Sequence, residues 1–426
     1  MPVIVPDPVI TPAAKGFPEE LWGRRLSRVG EAGLRRSRFQ TPVMTLDVAA
    51  VRRNERRLLD WVGEHGAQLF PHGKTTMAPA LWASAIEAGA RGITFATPWQ
   101  ARAGFEHGVQ RVLLANNLVD PVAIRGLSRC LDESPDRRLT VWVDSERAVG
   151  ILEEERLRAG ARAPIDVLVD VGGPGGRTGA RALDEVRAVA AAAAASSTLR
   201  LAGVAGWEGH FGADRAPATL ERVRGYLRRV GEAASRVVRD GLVRDGVPIV
   251  SAGGSAYPDL VLEELSALVP EATVVLRSGA AQIHDDGLYS RVSPLRGGGR
   301  ALTASMRVWA RVLSVPEPEL ALLDAGKRDL AFDVDLPVPL GMAAGAAPGA
   351  EPGSSAAGVP ALSVSALNDQ HAFLRGAGVA DLRPGDVVPL GMSHPCTAFD
   401  KWPIIATVEG ADDPDPLITG AIATLF

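Results

Sequence analysis

Eight short apolar runs, most of them β-branched, alternate with helical patterns between residues 68 and 276, and few folds accept that rhythm. The runs are Gln68–Phe70, Ile93–Ala96, Val112–Ala115, Leu139–Val143, Ile165–Val169, Leu201–Ala205, Ile249–Ser251 and Thr273–Leu276. Helical periodicity fills the intervals, at Pro79–Ala90, Pro98–His107, Val122–Leu131, Glu146–Leu157, Arg181–Ala195, Leu220–Val238 and Tyr257–Leu268. Near-continuous apolar strands separated by helices are parallel strands buried on both faces. Eight of them within about 210 residues predict an α/β fold, a (β/α)8 TIM-type barrel. A doubly wound open sheet usually has fewer strands and a Gly-rich dinucleotide turn after the first. No G-x-G-x-x-G follows Phe70.

The 426 residues exceed one ordinary core, and the pattern divides them. Residues 1–40 are proline-rich, then basic and amphipathic (Leu21, Leu26, Val29, Leu34), a leader that packs on the other domains. Residues 41–300 form the barrel segment, opened by a Thr41–Leu46 strand and a helix that Asp47 caps. Residues 301–426 change period: Met306, Val308, Ala310 and Val312 alternate as in antiparallel strands. Further strands follow at Asp386–Leu390, after the Pro384-Gly385 turn, and at Trp402–Val408. A C-terminal antiparallel β-domain is expected, interrupted by an Ala/Gly/Pro-rich insertion over residues 341–360.

A net charge of −4 gives no reason to expect nucleic acid or an anionic membrane as partner. Two cysteines, Cys130 and Cys396, make no disulfide framework and suit a reducing compartment. The first residues lack the apolar core of a signal peptide, and no apolar run reaches the roughly 20 residues that span a bilayer. A soluble, cytoplasmic protein is the expectation.

Polar and glycine residues gather just past the strands, where a barrel collects them on one mouth. His72 and Lys74 follow the first run, and a lysine against an apolar interior loses its proton readily enough to form a Schiff base. The alternative is a solvated surface lysine. Ser251-Ala-Gly-Gly-Ser255 and Arg277-Ser278-Gly279 leave the last two strands, at the usual phosphate corner of a barrel. Glycines that only make tight turns would look the same. A phosphate anchor opposite a reactive lysine is what pyridoxal phosphate (PLP) requires. Gly173-Pro-Gly-Gly-Arg177-Thr-Gly179 sets Arg177 on the same rim. Far downstream, His394-Pro-Cys396 pairs an imidazole with a thiol, two zinc-type donors, though a buried structural thiol gives the same pattern. His210 and His371 are further candidate donors.

Taken in order, Pro71-His-Gly-Lys-Thr75, the Arg177 turn, Gly206-Trp-Glu-Gly-His210, Ser251–Ser255, Leu276-Arg-Ser-Gly279 and His394-Pro-Cys396 resemble the fold-type III PLP enzymes of the D-serine dehydratase / D-threonine aldolase family. The resemblance spans roughly residues 40–410 and implies an alanine-racemase-like barrel and a homodimer. It implies Lys74 as the Schiff-base lysine. The implied cofactor contacts are His72, Arg177, Trp207, Ser251, Gly253, Gly254, Ser255, Ser278 and Gly279. His394 and Cys396 are implied as ligands of zinc or another divalent metal. His-x-Cys favours the dehydratase branch, where aldolases tend to have His-x-Asp. Trp207 stands where a tyrosine is common, and Asp369-Gln-His-Ala372 replaces a usual Glu-His-Gly. The expected activity is elimination of ammonia from a small D-3-hydroxy amino acid such as D-serine, with an aldolase or a non-enzymatic PLP carrier as alternatives. A racemase is disfavoured because Tyr226, Tyr257 and Tyr289, the only tyrosines, all precede residue 300.

Overall fold

The computed structural model of the protein describes residues 2–268, 271–341 and 362–426, and all eight apolar runs fall in one parallel sheet. Its strands are β2 (Gln68–Leu69), β3 (Ile93–Phe95), β4 (Arg111–Asn117), β5 (Arg138–Val143), β6 (Ile165–Val171), β7 (Leu199–Gly206), β8 (Ile249–Ala252) and β9 (Thr273–Leu276). They lie in the order β2-β9-β8-β7-β6-β5-β4-β3. The two edges meet: Arg91 N–H donates to Leu69 C=O (3.0 Å), Thr94 N–H donates to Pro71 C=O (2.9 Å), and His72 bridges Thr94 in parallel. The sheet is thereby joined into a barrel. Inside it Leu113, Trp142, Leu168, Ala202, Ala205 and Val275 pack as one buried cluster.

Helices α1 (Val48–Glu64), α2 (Pro79–Ala88), α3 (Pro98–Glu106), α4 (Pro121–Asp132), α5 (Glu146–Arg158), α6 (Leu183–Ala195), α7 (Pro217–Arg239) and α8 (Pro258–Leu265) cover the outside. Their starts are written in the chain. Asp47 accepts the Ala50 N–H (3.0 Å) at α1, as expected, and Asp120 and Ser145 do the same for α4 and α5. Two short helices, α9 (Ala280–Ile283) and α10 (Leu288–Val292), lead out of the barrel.

The second sheet holds β1 (Val43–Asp47), β10 (Met306–Glu317), β11 (Leu320–Leu323), β12 (Val338–Pro339), β13 (Ser363–Leu367), β14 (Ala372–Arg375), β15 (Val387–Gly391), β16 (Ile404–Val408) and β17 (Ile418–Ala423). All of its pairs are antiparallel except β1 with β16. The first strand, expected to open the barrel segment, belongs here: Met44 pairs with Val308 and Thr45 with Ala406. A five-residue apolar strand has no mark of which sheet it joins.

Alternation along β10 gives this sheet two apolar faces. Met306, Val308, Ala310 and Val312 point into a core with Leu46, Leu323 and Leu390. Trp309 points the other way, and the leader covers it. Residues 2–40 run through four single 3₁₀ turns rather than a long helix, and seat Ile10, Phe17, Leu21, Leu26, Val29 and Phe39 against Trp309, Val387 and Val408. Residues 342–361, with most of the expected insertion, lie outside the described residues. No described helix is long and apolar enough to cross a membrane.

Candidate active site

Lys74 sits in a single 3₁₀ turn, Gly73–Thr75, immediately past β2. Gly73 is required there, because a Cβ would lie within 2.8 Å of the Ile93, Trp82 and Phe95 side chains. Met77 closes the turn by donating its N–H to Gly73 C=O (2.9 Å), and itself takes the left-handed conformation (φ 40°), unusual for a residue with a side chain. From the far end of the chain, Leu425 N–H donates to Met77 C=O (2.8 Å). The lysine is therefore fixed from both sides. Burial lowers its ammonium pKa, and the Arg177 and Arg277 charges push the same way while Cys396 opposes them. His72 is half-buried, its imidazole pKa depressed by burial and by Lys74 nearby; its Nδ1 is buried with no hydrogen-bond partner.

The glycine corner differs from expectation. Gly253 and Gly254 donate their N–H groups to the fully buried Glu208 carboxylate, at 3.1 and 2.7 Å. An anion already holds those donors. Ser251 turns inward, donating to Val275 C=O (3.1 Å) and receiving Arg277 Nη1 (2.5 Å). Beside this turn, the buried Ser278 Oγ donates to the half-buried Ser255 Oγ at 3.0 Å, and Ala280 N–H donates to Ser255 Oγ at 3.2 Å. Gly279 packs so tightly on His72 that a Cβ would meet its backbone at 2.7 Å, which ties the corner to the lysine turn.

Arg277 was not among the expected contacts. Its guanidinium is wholly buried, also donates to Gly206 C=O (2.6 Å) and lies 4.8 Å from the Trp142 ring centroid. Burial pulls its pKa down to about 10 against the pull of Glu208. Arg177 rests on the Trp207 ring, 3.8 Å from its centroid, so the tryptophan supplies a cation platform where a hydroxyl was missed. His210 uses Nδ1–H toward Trp207 C=O (2.8 Å), and its Nε2 is buried without a partner against Gly173.

The downstream pair reaches this mouth. Burial pushes the Cys396 thiol up to about 11, while the Lys74 charge and a hydrogen bond from the Thr75 hydroxyl pull it down. Cys396 thus faces the residue adjacent to Lys74. His394 Nδ1 bonds Asp333 Oδ2 (2.8 Å), and Thr397 holds the other Asp333 oxygen (3.0 Å). That carboxylate fixes the imidazole and leaves Nε2 as its donor atom. Tyr289, on α10, lies 5.7 Å from the His394 ring, hydrogen-bonds Ser255 and feels the Cys396 charge. A tyrosine before residue 300 therefore does reach the site, and the reason given against a racemase fails. His371 is instead exposed in the turn between β13 and β14. Among the described residues no third His, Cys, Asp or Glu completes a metal cluster with His394 and Cys396.

Residues 46–257 match the alanine racemase N-terminal domain, and residues 305–408 match the "Putative serine dehydratase domain". The chain belongs to the fold-type III PLP enzymes. A D-threonine aldolase of an Arthrobacter species is 26% identical to this fold-type III chain over 370 residues, covering 85% of it and 88% of the relative. A 3-hydroxy-D-aspartate aldolase of Paracoccus denitrificans is 26% identical over 318 residues, 72% and 78% of the two chains. Among solved structures, D-threonine aldolase from Filomicrobium marinum superposes with a TM-score of 0.75 at 24% identity, over 92% of this chain and 97% of that one. D-threo-3-hydroxyaspartate dehydratase from Delftia sp. HT23 gives 0.69 at 20% identity, over 91% and 97%.

The residues present fit the cofactor of this family. A buried amine of lowered pKa, an unpartnered buried imidazole nitrogen at His72 and a hydroxyl pair opposite are what an aldehyde and a phosphate require. The carboxylate-held imidazole and the half-buried thiol fit a divalent metal that takes its other ligands from water or substrate.

Proposed function

We propose that this enzyme is a PLP- and metal-dependent lyase that eliminates ammonia from a small D-3-hydroxy amino acid, leaving a 2-oxo acid. The observation that carries the reading is the meeting of the Lys74 turn with Cys396, through Thr75, beside the Asp333-held His394. When bound, PLP supplies an electron sink for charge at Cα, and a divalent metal supplies a Lewis acid for the β-hydroxyl.

The chain's own residues do the rest. Lys74 would hold the cofactor and, once released by substrate, has an ammonium pKa lowered by burial, which favours the neutral amine whose Nζ can take the Cα proton. His394 and Cys396 would hold the metal, with Asp333 fixing the ring. Ser255, Ser278 and Gly279 are assigned to the phosphate, while Glu208 braces the Gly253-Gly254 turn behind them. Arg177, carried on Trp207, supplies a cation at the rim. The Cα–H and Cβ–O bonds break and water departs; hydrolysis of the released enamine returns water and yields ammonia and the 2-oxo acid.

Two comparisons bear on the branch. Solved D-threo-3-hydroxyaspartate dehydratase variants altered at a histidine and at a cysteine two positions later, the latter metal-free, have the spacing of His394 and Cys396. The curated relatives, by contrast, are aldolases, which favours the second reading: Cα–Cβ cleavage to glycine and an aldehyde. A panel of D-serine, D-threonine and D-threo-3-hydroxyaspartate, scored for ammonia and for glycine, separates them. Ammonia matched by 2-oxo acid is expected; glycine as the product would replace elimination by the aldolase.

A further inference from the structure

The opposite end of the barrel has a charge pattern that the lysine site does not use. The lowest inward-facing residues of four neighbouring strands are Arg111 on β4, Arg138 on β5, Asp166 on β6 and Arg200 on β7. With Gln68 and Thr273 they line a cavity of about 310 Å³. Above it Leu113, Leu168 and Ala202 close the apolar interior.

Asp166 and Arg200 are register partners and neutralise each other, Nε to Oδ1 at 2.6 Å. Arg111 and Arg138 are also register partners, on strands roughly 4.8 Å apart, and both are positive. Like charges placed directly opposite destabilise a sheet unless something lies between them. The Arg138 guanidinium donates to the backbone carbonyls of Pro135 and Arg137, and among the described residues neither arginine has a carboxylate partner. Three arginines thus line a cavity with one carboxylate, and Asp245 adds its charge near Arg200.

We propose that the barrel floor binds a small phosphate-type dianion, inorganic phosphate or a short phosphate monoester, between Arg111 and Arg138. The planar forks of two guanidiniums match the oxygens of a tetrahedral dianion and cancel the repulsion between them. A cavity of about 310 Å³ is at the small end of ligand sites. Asp166 sets the limit on affinity, because it keeps Arg200 engaged.

The test uses the PLP-loaded enzyme, so that the cofactor occupies its own phosphate corner. Calorimetry and thermal unfolding with inorganic phosphate and with glycerol 1-phosphate are compared against chloride at equal ionic strength. At least one of the two phosphates should bind and raise the melting temperature without changing cofactor absorbance. R111Q/R138Q should weaken binding roughly tenfold or more. Asp166→Asn, which frees Arg200, should tighten it, and this variant decides the matter if the double variant fails to fold. Stronger binding of glycerol 1-phosphate identifies a monoester site, and stronger binding of inorganic phosphate a free-ion site. Absence of binding, binding unchanged in R111Q/R138Q, or binding no tighter in Asp166→Asn overturns the proposal.

Discussion

Lys74 and Cys396 oppose each other's shifts: burial drives the amine's pKa down and the thiol's up, and each charge resists the other's movement. The neutral amine is the form that attacks an aldehyde, so PLP capture by the cofactor-free enzyme should speed up as pH rises. Because the lysine's folded pKa is lowered, the rise should level off below pH 10.5, the ordinary lysine value. A stopped-flow pH profile checks this, and a midpoint at 10.5 or above would remove the burial argument. Asp333 was not legible in the sequence, since it meets His394 across 61 residues and belongs to no motif. Asp333→Asn should weaken metal binding about 10- to 100-fold while leaving PLP capture intact. Equal metal affinity in a competition assay would deny it the orienting role. Tyr289 and Arg277 escaped for a related reason: one lies on a linker helix, the other within a motif whose glycine and serine drew attention first.

At the scale of elements, the eight barrel strands were legible because each is a short apolar run closed by polar or glycine residues. Lys74 was legible because it ends such a run. The identity of the partner strand was not: β1 looks like a barrel strand and pairs in the other sheet. Nor was the state of the glycine corner, since no pattern announces that Glu208 caps Gly253 and Gly254 from the preceding strand's loop. Charge-assisted bonds of this kind are worth roughly 1.5–3 kcal/mol each. Glu208→Gln keeps one acceptor oxygen and should cost about that much in stability while weakening PLP binding. Denaturant unfolding and cofactor titration measure both; an unchanged protein would make Glu208 a bystander.

For the whole molecule, the leader is a structural part of the β-domain. Phe17 is 4% exposed and packs edge-on to Phe39, with ring centroids 5.2 Å apart. Phe17→Ala should destabilise by about 3–5 kcal/mol, the usual cost of emptying a large core site. A loss under about 1 kcal/mol in urea melts would mean that residues 1–40 rest on the sheet without supporting it. The barrel brings the lysine, and the β-domain brings the imidazole and the thiol, so removal of a metal should split the reaction in two. The decisive measurement follows D-serine in heavy water with chelated, PLP-loaded enzyme, recording Cα–H exchange and ammonia together. Exchange that persists while ammonia release stops, and ammonia that returns with zinc, is the predicted result. Ammonia release indifferent to the chelator would contradict a metal-assisted departure of the hydroxyl.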